Sequence, residues 1–391
     1  MPTTATTTSL ELREFAAGAG WNSPLPALDS ERTLVLVFGA SSFLDSGDQG
    51  PLGEVRRAYP TSHILGCSTA GEIAGANLRD DGLSVAVMRF ARTRLARVSA
   101  PVRSPADSFA AGELIGQQLE GTGLRGVLIL SDGLKVNGSE LVRGLNSVLP
   151  PEVTVTGGLA ADGDRFKRTW VIRDGVAAEG FVAAVGFYGD HVRIAHGSKG
   201  GWDTFGPERT VTRSEGNVLY ELDGQPALPL YKQYLGDRAA GLPATALLFP
   251  LALRRDSQDA KSLVRTVLSV DEAAQSMTFA GDIPQGFRAR LMRANFDRLI
   301  GGAGESAQMT LVGADHPPGA ACLAVAVSCV GRRLVLGERT EEELESALTV
   351  LPPGTQQVGF YSYGELSPYV QGAGPCDLHN QTMTLTTITE V

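Results

Sequence analysis

The sequence predicts an α/β (α+β) fold with two domains of mixed sheets flanked by helices, in which a βαβ-plus-hairpin unit is internally repeated. Three observations support this prediction. The chain has 391 residues, more than one small core accommodates at about 150 residues per domain. Short apolar strands alternate with helical patterns along the chain. Strands that end in glycine recur at similar spacing, which indicates duplication.

The first unit begins with the apolar run TLVLVFGA at 33–40, which is typical of a buried strand. A short helix at 52–59 and a second strand at 63–65 complete a βαβ unit. Two extended segments at 82–90 and 95–99, joined by a short polar turn, predict a hairpin. The same order then returns, as a helix at 107–119, a strand at 127–130, a helix at 139–148 and a strand at 153–156.

A third copy is predicted near the carboxyl terminus. The segment GFYSYGEL at 359–366 matches GCSTAGEI at 66–73 at both glycines and at the glutamate. The elements around it follow the same order, as a strand at 320–329, a helix at 341–348 and a strand at 357–359. The positions that this alignment makes equivalent are Gly66, Gly157 and Gly359, and the pair Glu72 and Glu365.

The segment between the second and third units differs in pattern. Residues 200–212 are rich in Gly, Trp and Pro, which indicates a domain junction. Residues 217–234 predict a strand, a tight Asp223-Gly224 turn and a helix. The elements predicted to follow are strands at 245–253, 263–270 and 276–280 and a helix at 287–300.

Composition excludes several function classes. With 34 basic and 43 acidic residues the formal net charge is −9, the wrong sign for a nucleic-acid partner. Four scattered cysteines are too few for a disulfide framework and lack the spacing of a zinc site, so we expect reduced thiols in a cytoplasmic protein. No run approaches 18 apolar residues, so we expect neither a membrane span nor a membrane anchor.

Motifs for catalysis or metal binding are not found in the sequence. GCSTAG at 66–71 lacks the spacing of a nucleophile elbow, and neither a Walker sequence nor a dinucleotide fingerprint occurs. The histidines show no metal-ligand pair on a helix; they are His63, His191, His196, His316 and His379. We expect His379 to be a buried, hydrogen-bonded strand histidine. The prediction is a protein without catalytic residues, metal or cofactor.

Glycine-rich turns after strands, at 66–75, 157–163, 197–206 and 359–364, favour a ligand cleft. The predicted ligand-binding residues are Ser68, Thr69, Glu72, Asp162, Arg165, Trp202, Ser362, Tyr363 and Glu365. The glutamates suit an ammonium group or another cation, and Arg165 suits a carboxylate. Two alternatives stay open for the glutamates: they hold their turns by accepting backbone N–H bonds, or they face each other and act as acid and base. For Trp202 the alternative is packing in a hydrophobic core.

The chain resembles the FIST family, named for F-box and intracellular signal transduction proteins. The resemblance covers nearly the whole chain and rests on GCSTAGEI, GGLAADGDRF at 157–166, VTRSEGNVLYELDGQPALPLY at 211–231, GDIPQG at 281–286, and GFYSYGEL with CDLHNQTMTL at 376–385. It implies an N-terminal extension at 1–25, a FIST N-terminal domain at 26–215 and a FIST C-terminal domain at 216–391.

The resemblance also implies a function: a bacterial stand-alone sensor, not an enzyme, that binds a small ligand, with amino acids among the candidates. It would report to a separate signalling partner such as a histidine kinase or a diguanylate cyclase. A first alternative is a haem-binding nitric-oxide sensor that regulates a histidine kinase. His196 would then ligate the iron, although Gly200, Gly201 and Trp202 stand near the place where that branch has its histidine. A second alternative is a scaffold or interaction protein.

Overall fold

The computed structural model describes residues 7–256, 262–312, 317, 319–369, 372 and 374–391. His316, one of the histidines considered above, lies outside these residues. The described chain forms three copies of one α/β module, and a separate sheet is inserted into the third copy. Among the described residues, none of the helices is long and apolar enough to cross a membrane.

The first module places two parallel strands beside two antiparallel ones, in the sheet order β4-β3-β7-β1. Its central strand β3 is entirely buried, which agrees with its unbroken apolar sequence. Its helix starts at a proline and buries Leu52 and Val55. The elements are β1 (Ser9–Ala16), β2 (Gly20–Trp21), β3 (Thr33–Gly39), α1 (Pro51–Ala58), β4 (His63–Ser68), β5 (Glu72–Ala74), β6 (Asn77–Arg79) and β7 (Gly82–Arg89).

The second module repeats this arrangement in the order β10-β9-β13-β8 and adds a helix before its central strand. Asn137 begins the helix that follows that strand, since its side chain accepts from the amides of Ser139 and Glu140. The elements are β8 (Arg94–Pro101), α2 (Ser108–Leu119), β9 (Leu124–Ser131), α3 (Gly138–Asn146), β10 (Thr154–Leu159), β11 (Val171–Arg173), β12 (Val176–Ala178) and β13 (Phe181–Tyr188).

The third module begins with β14 (Val192–Lys199), and the inserted sheet follows. This insertion comprises β15 (Trp202–Glu215), β16 (Val218–Leu222), β17 (Gln225–Pro226), α4 (Ala227–Leu235), β18 (Leu251–Arg254), β19 (Leu263–Arg265), β20 (Val267–Asp271), β21 (Ser276–Phe279) and β22 (Arg288–Ala294). The module resumes with α5 (Phe296–Leu311), β23 (Cys322–Cys329), α6 (Val330–Leu336), α7 (Thr340–Val350), β24 (Gln356–Ser362), β25 (Gly364–Pro368), β26 (Cys376–His379) and β27 (Met383–Glu390). Its sheet order, β24-β23-β27-β14, is that of the other two modules.

The repeat glycines occupy matching places in the three sheets. A Cβ atom added at Gly66 would lie 2.2 Å from the carbonyl oxygen of Val37 on the neighbouring parallel strand. The same atom would lie 1.8 Å from the carbonyl oxygen of Ile129 at Gly157, and 1.8 Å from that of Ala326 at Gly359. The repeat predicted from these glycines is therefore confirmed, because each unit needs glycine at the same point of its parallel pair.

The modules exchange hairpins in a cycle. The hairpin β5–β6 of the first module joins the sheet of the third, where Phe360 pairs with Glu72. The hairpin β11–β12 of the second module extends the sheet of the first, through Val171 and Cys67. The hairpin β25–β26 of the third module extends the sheet of the second, through Glu365 and Gly158. Each sheet is thus completed by another module.

The predicted α/β class with mixed sheets and repeated units is confirmed, but four local predictions are wrong. The single strand predicted at 263–270 is two strands, β19 and β20, which pair with β18 and β21 respectively. The segments 82–90 and 95–99 are strands but not a hairpin, since β7 pairs with β1 and β3 whereas β8 pairs with β13. The helix predicted at 287–300 is strand β22 followed by α5. The strand predicted at 245–253 begins as a short 3-10 helix and becomes strand β18 only at Leu251. The boundary predicted between 215 and 216 lies in the turn between β15 and β16 and stays a prediction.

Candidate functional site

A cleft of about 620 Å³, here called the carboxyl-end cleft, opens where β3 and β4 end. Residues of all three modules line it. The first module contributes Ala40 and 69–72, the second contributes 163–165, and the third contributes Val330 and Arg333 from α6. Carboxyl ends of parallel strands are the usual place for ligands in open α/β sheets. Thr69, Glu72 and Arg165 are the predicted ligand residues that line it.

Glu72 is the buried acid of this cleft. Its side chain is 2% exposed, its Oε1 contacts the Thr69 hydroxyl, and its Oε2 accepts from the Gly82 amide at 3.2 Å. Burial raises the pKa of the Glu72 carboxyl to about 8, against the opposing effect of these hydrogen bonds. Glu72 is therefore mostly protonated at neutral pH, and it fixes the start of β7 rather than presenting a charge.

Arg333 forms the wall of the cleft beside the turn at 69–72. Its two terminal nitrogens bind both carboxylate oxygens of Asp80, at 2.8 and 2.6 Å, and Nη1 also donates to the Ala70 carbonyl. A Cβ atom added at Gly71, where φ is +134°, would lie 2.5 Å from that nitrogen. Glycine here lets the turn approach the guanidinium, and the ion pair ties α6 of the third module to the first module.

Arg165 is the exposed arginine of the cleft. Its hydrogen bond is to the hydroxyl of Ser41, at 3.2 Å, and no carboxylate of the described chain forms an ion pair with it. Two further lining residues, Asp81 and Asp164, also lack an ion-pair partner among the described residues. The cleft thus holds both a positive and a negative group that are open to a ligand.

Glu365 is not in this cleft. It is 0% exposed and lies on β25, paired with Gly158 of the second module. Its Oε1 accepts from Ser362 at 2.8 Å, and its Oε2 accepts from the Thr382 amide at 3.1 Å and the Thr382 hydroxyl at 2.9 Å. Burial raises the pKa of this carboxyl to about 8. Glu365 makes the same kinds of hydrogen bond as Glu72, and it fixes the start of β27.

The loop at 162–168 separates the carboxyl-end cleft from a second cleft of about 230 Å³. Buried Asp162 holds the loop, since its Oδ2 accepts from the amides of Lys167 and Arg168 at 2.9 Å and its Oδ1 from the Tyr363 hydroxyl. Phe166, at φ +50°, stacks on Tyr363 with ring centroids 4.5 Å apart. Phe166 and Tyr363 line the second cleft, which also touches the inserted sheet at Phe279.

Comparison with family models matches residues 33–225 to the FIST N domain and residues 227–368 to the FIST C domain. Together the two matches cover nearly the whole chain. The chain belongs to the FIST family. FIST domains are associated with sensory signal transduction, so the sequence-based resemblance is confirmed at that level. A search of curated proteins finds no match to this FIST protein.

The remaining predicted ligand residues of this FIST protein support its framework. The Ser68 hydroxyl accepts from the amide of Trp170 at 3.0 Å, and the Ser362 hydroxyl is engaged by Glu365 as described. The Trp202 indole is 7% exposed and donates to the Gln381 carbonyl at 2.9 Å. None of these three side chains lines either cleft, and Trp202 packs in an apolar cluster with Leu299.

His196 does not fit the haem alternative as it is packed. It lies on β14 beside Thr386, is 3% exposed, and neither ring nitrogen has a hydrogen-bond partner in the described chain. Burial lowers the pKa of its imidazole to about 4, so the ring is neutral. His196 lines neither the carboxyl-end cleft nor the second cleft. A haem group could reach His196 only by displacing the side chains that bury it. His379, by contrast, bonds the Ser367 carbonyl at 3.0 Å and is buried as predicted.

Sequence reasoning missed the partners that the topology brings to the cleft. Asp80 and Asp81 precede β7, and Arg333 follows β23 more than 250 residues later. The run RDD at 79–81 and the pair Arg332-Arg333 were visible as charges, but only the crossing of β5–β6 into the third sheet places them together.

Proposed function

We propose that this FIST protein is a non-catalytic sensor. It binds a small zwitterion of the amino-acid type in the carboxyl-end cleft and reports occupancy to a separate signalling protein such as a histidine kinase or a diguanylate cyclase. The observation that carries this proposal is the setting of Arg165: an arginine without a carboxylate partner among the described residues faces the same cleft as Asp81 and Asp164.

Arg165 suits the ligand's carboxylate, because a guanidinium binds carboxylates through two parallel hydrogen bonds. Asp81 or Asp164 suits the ammonium group. That role was predicted for the glutamates, but the raised pKa of Glu72 leaves its carboxyl mostly uncharged at neutral pH. Glu72 is instead a structural acid that shapes the wall beside Thr69.

The three-module lining supports a sensory role. A ligand that contacts the loop at 163–165 and the turn at 69–72 bridges two modules, and α6 adds the third. Binding therefore favours one relative placement of the modules, and a partner protein can respond to that shift in population. We propose that the cleft is not catalytic because both carboxyl oxygens of Glu72 are already hydrogen-bonded, to Thr69 and to Gly82. Haem is left out of the proposal because of the packing of His196.

Thermal denaturation in the presence of individual amino acids tests the proposal. A ligand that binds only the folded state at 100 times its Kd adds about 2.7 kcal/mol to the free energy of unfolding, so the Tm rises. We expect Arg165→Ala to abolish that rise while leaving the ligand-free Tm close to wild type, since the side chain is exposed.

Arg125→Ala is the matched control, since Arg125 is an exposed arginine that pairs with Asp190 outside the cleft. It should respond to the ligand like the wild type. A flat Tm with every amino acid, or an Arg165→Ala variant that responds fully, would contradict the proposal.

A further inference from the structure

A separate, basic cavity lies at the opposite end of the first module. It has a volume of about 970 Å³, and we call it the arginine groove, after its lining residues Arg32, Arg89, Arg92 and Arg94. Arg32 and His63 stand at the amino ends of β3 and β4, whereas the carboxyl-end cleft lies where these strands finish. A strand as long as β3 spans about 23 Å, so the two cavities are separate.

The four arginines of the groove carry charges that no carboxylate of the described chain neutralises through an ion pair. Arg32 donates to the Ala91 carbonyl at 2.6 Å, and Arg94 lies over the Tyr188 ring at 3.7 Å. Arg92 approaches the His191 ring at 3.4 Å. These contacts orient the guanidinium groups and leave their positive charges uncompensated.

Arg89 supplies a buried donor at the groove. Its Nε is buried, yet it has no hydrogen-bond partner in the described structure. A buried, unpaired guanidinium N–H is costly unless an acceptor reaches it. Arg89 is the last residue of β7, so the backbone of a central strand fixes where this donor lies.

Negative groups near the groove do not cancel these charges. Glu31 is the acidic side chain that lines it, against four arginines. Asp29 is engaged by Thr61 and Ser62 at 2.6 to 3.1 Å. The carboxylate of Glu390 accepts from the amides of Ala91, Arg92 and Thr93 at 2.6 to 2.9 Å. The groove is thus a local positive region on a chain whose formal net charge is −9.

We propose that the arginine groove binds a small anion with a di- or triphosphate group. Each guanidinium group can donate two parallel hydrogen bonds to the oxygens of one phosphate. A polyphosphate carries several negative charges close together, which suits four clustered arginines. The buried side chains of Phe90 and Leu95 form an apolar floor, which strengthens the attraction by excluding water. The volume is within the range of small-molecule sites.

Calorimetric titration of the full chain with inorganic tripolyphosphate at low ionic strength tests this proposal. We expect saturable binding that weakens as salt is added, because the exposed arginines are screened. Arg32→Ala and Arg94→Ala should each raise the Kd about tenfold, the effect of losing one charge-assisted contact. Both side chains are exposed, so circular dichroism should show an unchanged fold.

Arg213→Ala is the matched control, because it removes one exposed arginine of the inserted sheet, paired there with Glu221. Its Kd should stay within about twofold of the wild type. Absence of saturable binding to the wild type would overturn the proposal, as would equal effects of the groove and control variants. Citrate that binds as tightly as tripolyphosphate would overturn the phosphate assignment in favour of a polycarboxylate.

Discussion

The first and third modules use the same carboxylic acid in different surroundings. Glu72 and Glu365 each accept from a hydroxyl three residues earlier and from the amide at the start of the last strand of the module. Glu365 is enclosed by the second module, whereas Glu72 borders the carboxyl-end cleft. In the second module the amide of Gly180, at the start of β13, donates to Asp132, which follows the central strand β9 and not the outer strand. An acid thus holds the start of the same strand in each module, although its position differs, and the acid of the first module also lines the carboxyl-end cleft.

The largest expected effect tests whether the modules are true copies. Gly359→Ala and Gly157→Ala should each lower the free energy of unfolding by about 3 kcal/mol or more, because the new methyl group meets a backbone carbonyl of a buried strand. Urea denaturation monitored by circular dichroism measures this. A small effect at one glycine and a large one at the other would break the equivalence of the modules.

Two adjacent glycines of α5 provide the control for that experiment. A Cβ atom at Gly301 meets nothing within 4 Å, and Gly301→Ala should stabilise the helix by up to about 1 kcal/mol. At Gly302 the same atom would lie 2.3 Å from the carbonyl oxygen of Gly200, so Gly302→Ala should destabilise.

A smaller effect separates the two glutamates. Glu365→Ala leaves the Thr382 amide and the Ser362 hydroxyl unpaired in a closed interior, and should cost about 3 kcal/mol. Glu72→Ala should cost about 1 kcal/mol, since cleft water can reach its partners. The same denaturation assay measures both, with Glu365→Gln and Glu72→Gln as shape-conserving controls. Equal costs for the two alanine variants would show that Glu72 is as enclosed as Glu365.

A dependence of the stability on pH tests the protonation of the same two acids. Both folded-state pKa values are raised to about 8 from an ordinary value of 4.5, so the folded chain holds protons that the unfolded chain releases. The stabilisation is fully present below about pH 4.5 and is lost as pH rises to about 8. The slope is at most about 1.4 kcal/mol per pH unit for each group. Glu72→Gln and Glu365→Gln should each flatten the stability profile over this range, and an unchanged profile would contradict the raised pKa values.

Local patterns in the sequence predicted the units but not their connections. Buried runs such as β3 and the repeat glycines are local signals, so the strands and their duplication were foreseeable. The hairpin error arose because β7 and β8 choose partners far away in the chain. The segment at 288–294 has helix-forming residues, yet pairing with β15 and β18 makes it a strand.

For the candidate sites, too, local features could be predicted from the sequence and long-range contacts could not. Thr69, Glu72 and Arg165 could be predicted because each lies in a glycine-rich turn, although burial and protonation of Glu72 are tertiary properties. Three arginines of the arginine groove are neighbours in the sequence, in RFARTR at 89–94 between the end of β7 and the start of β8. Arg32, which precedes β3, joins them only through the fold.

The cyclic exchange of hairpins constrains how the polypeptide is assembled. The edge of β10 is covered by β25, and β5 is paired by β24, so both stay open until residues near the carboxyl terminus have been synthesised. A nascent chain ending near residue 225 would carry these uncovered edges on the ribosome, where they are liable to pair with other chains. Separate expression of the two FIST segments is therefore expected to give insoluble material, and co-expression to restore solubility.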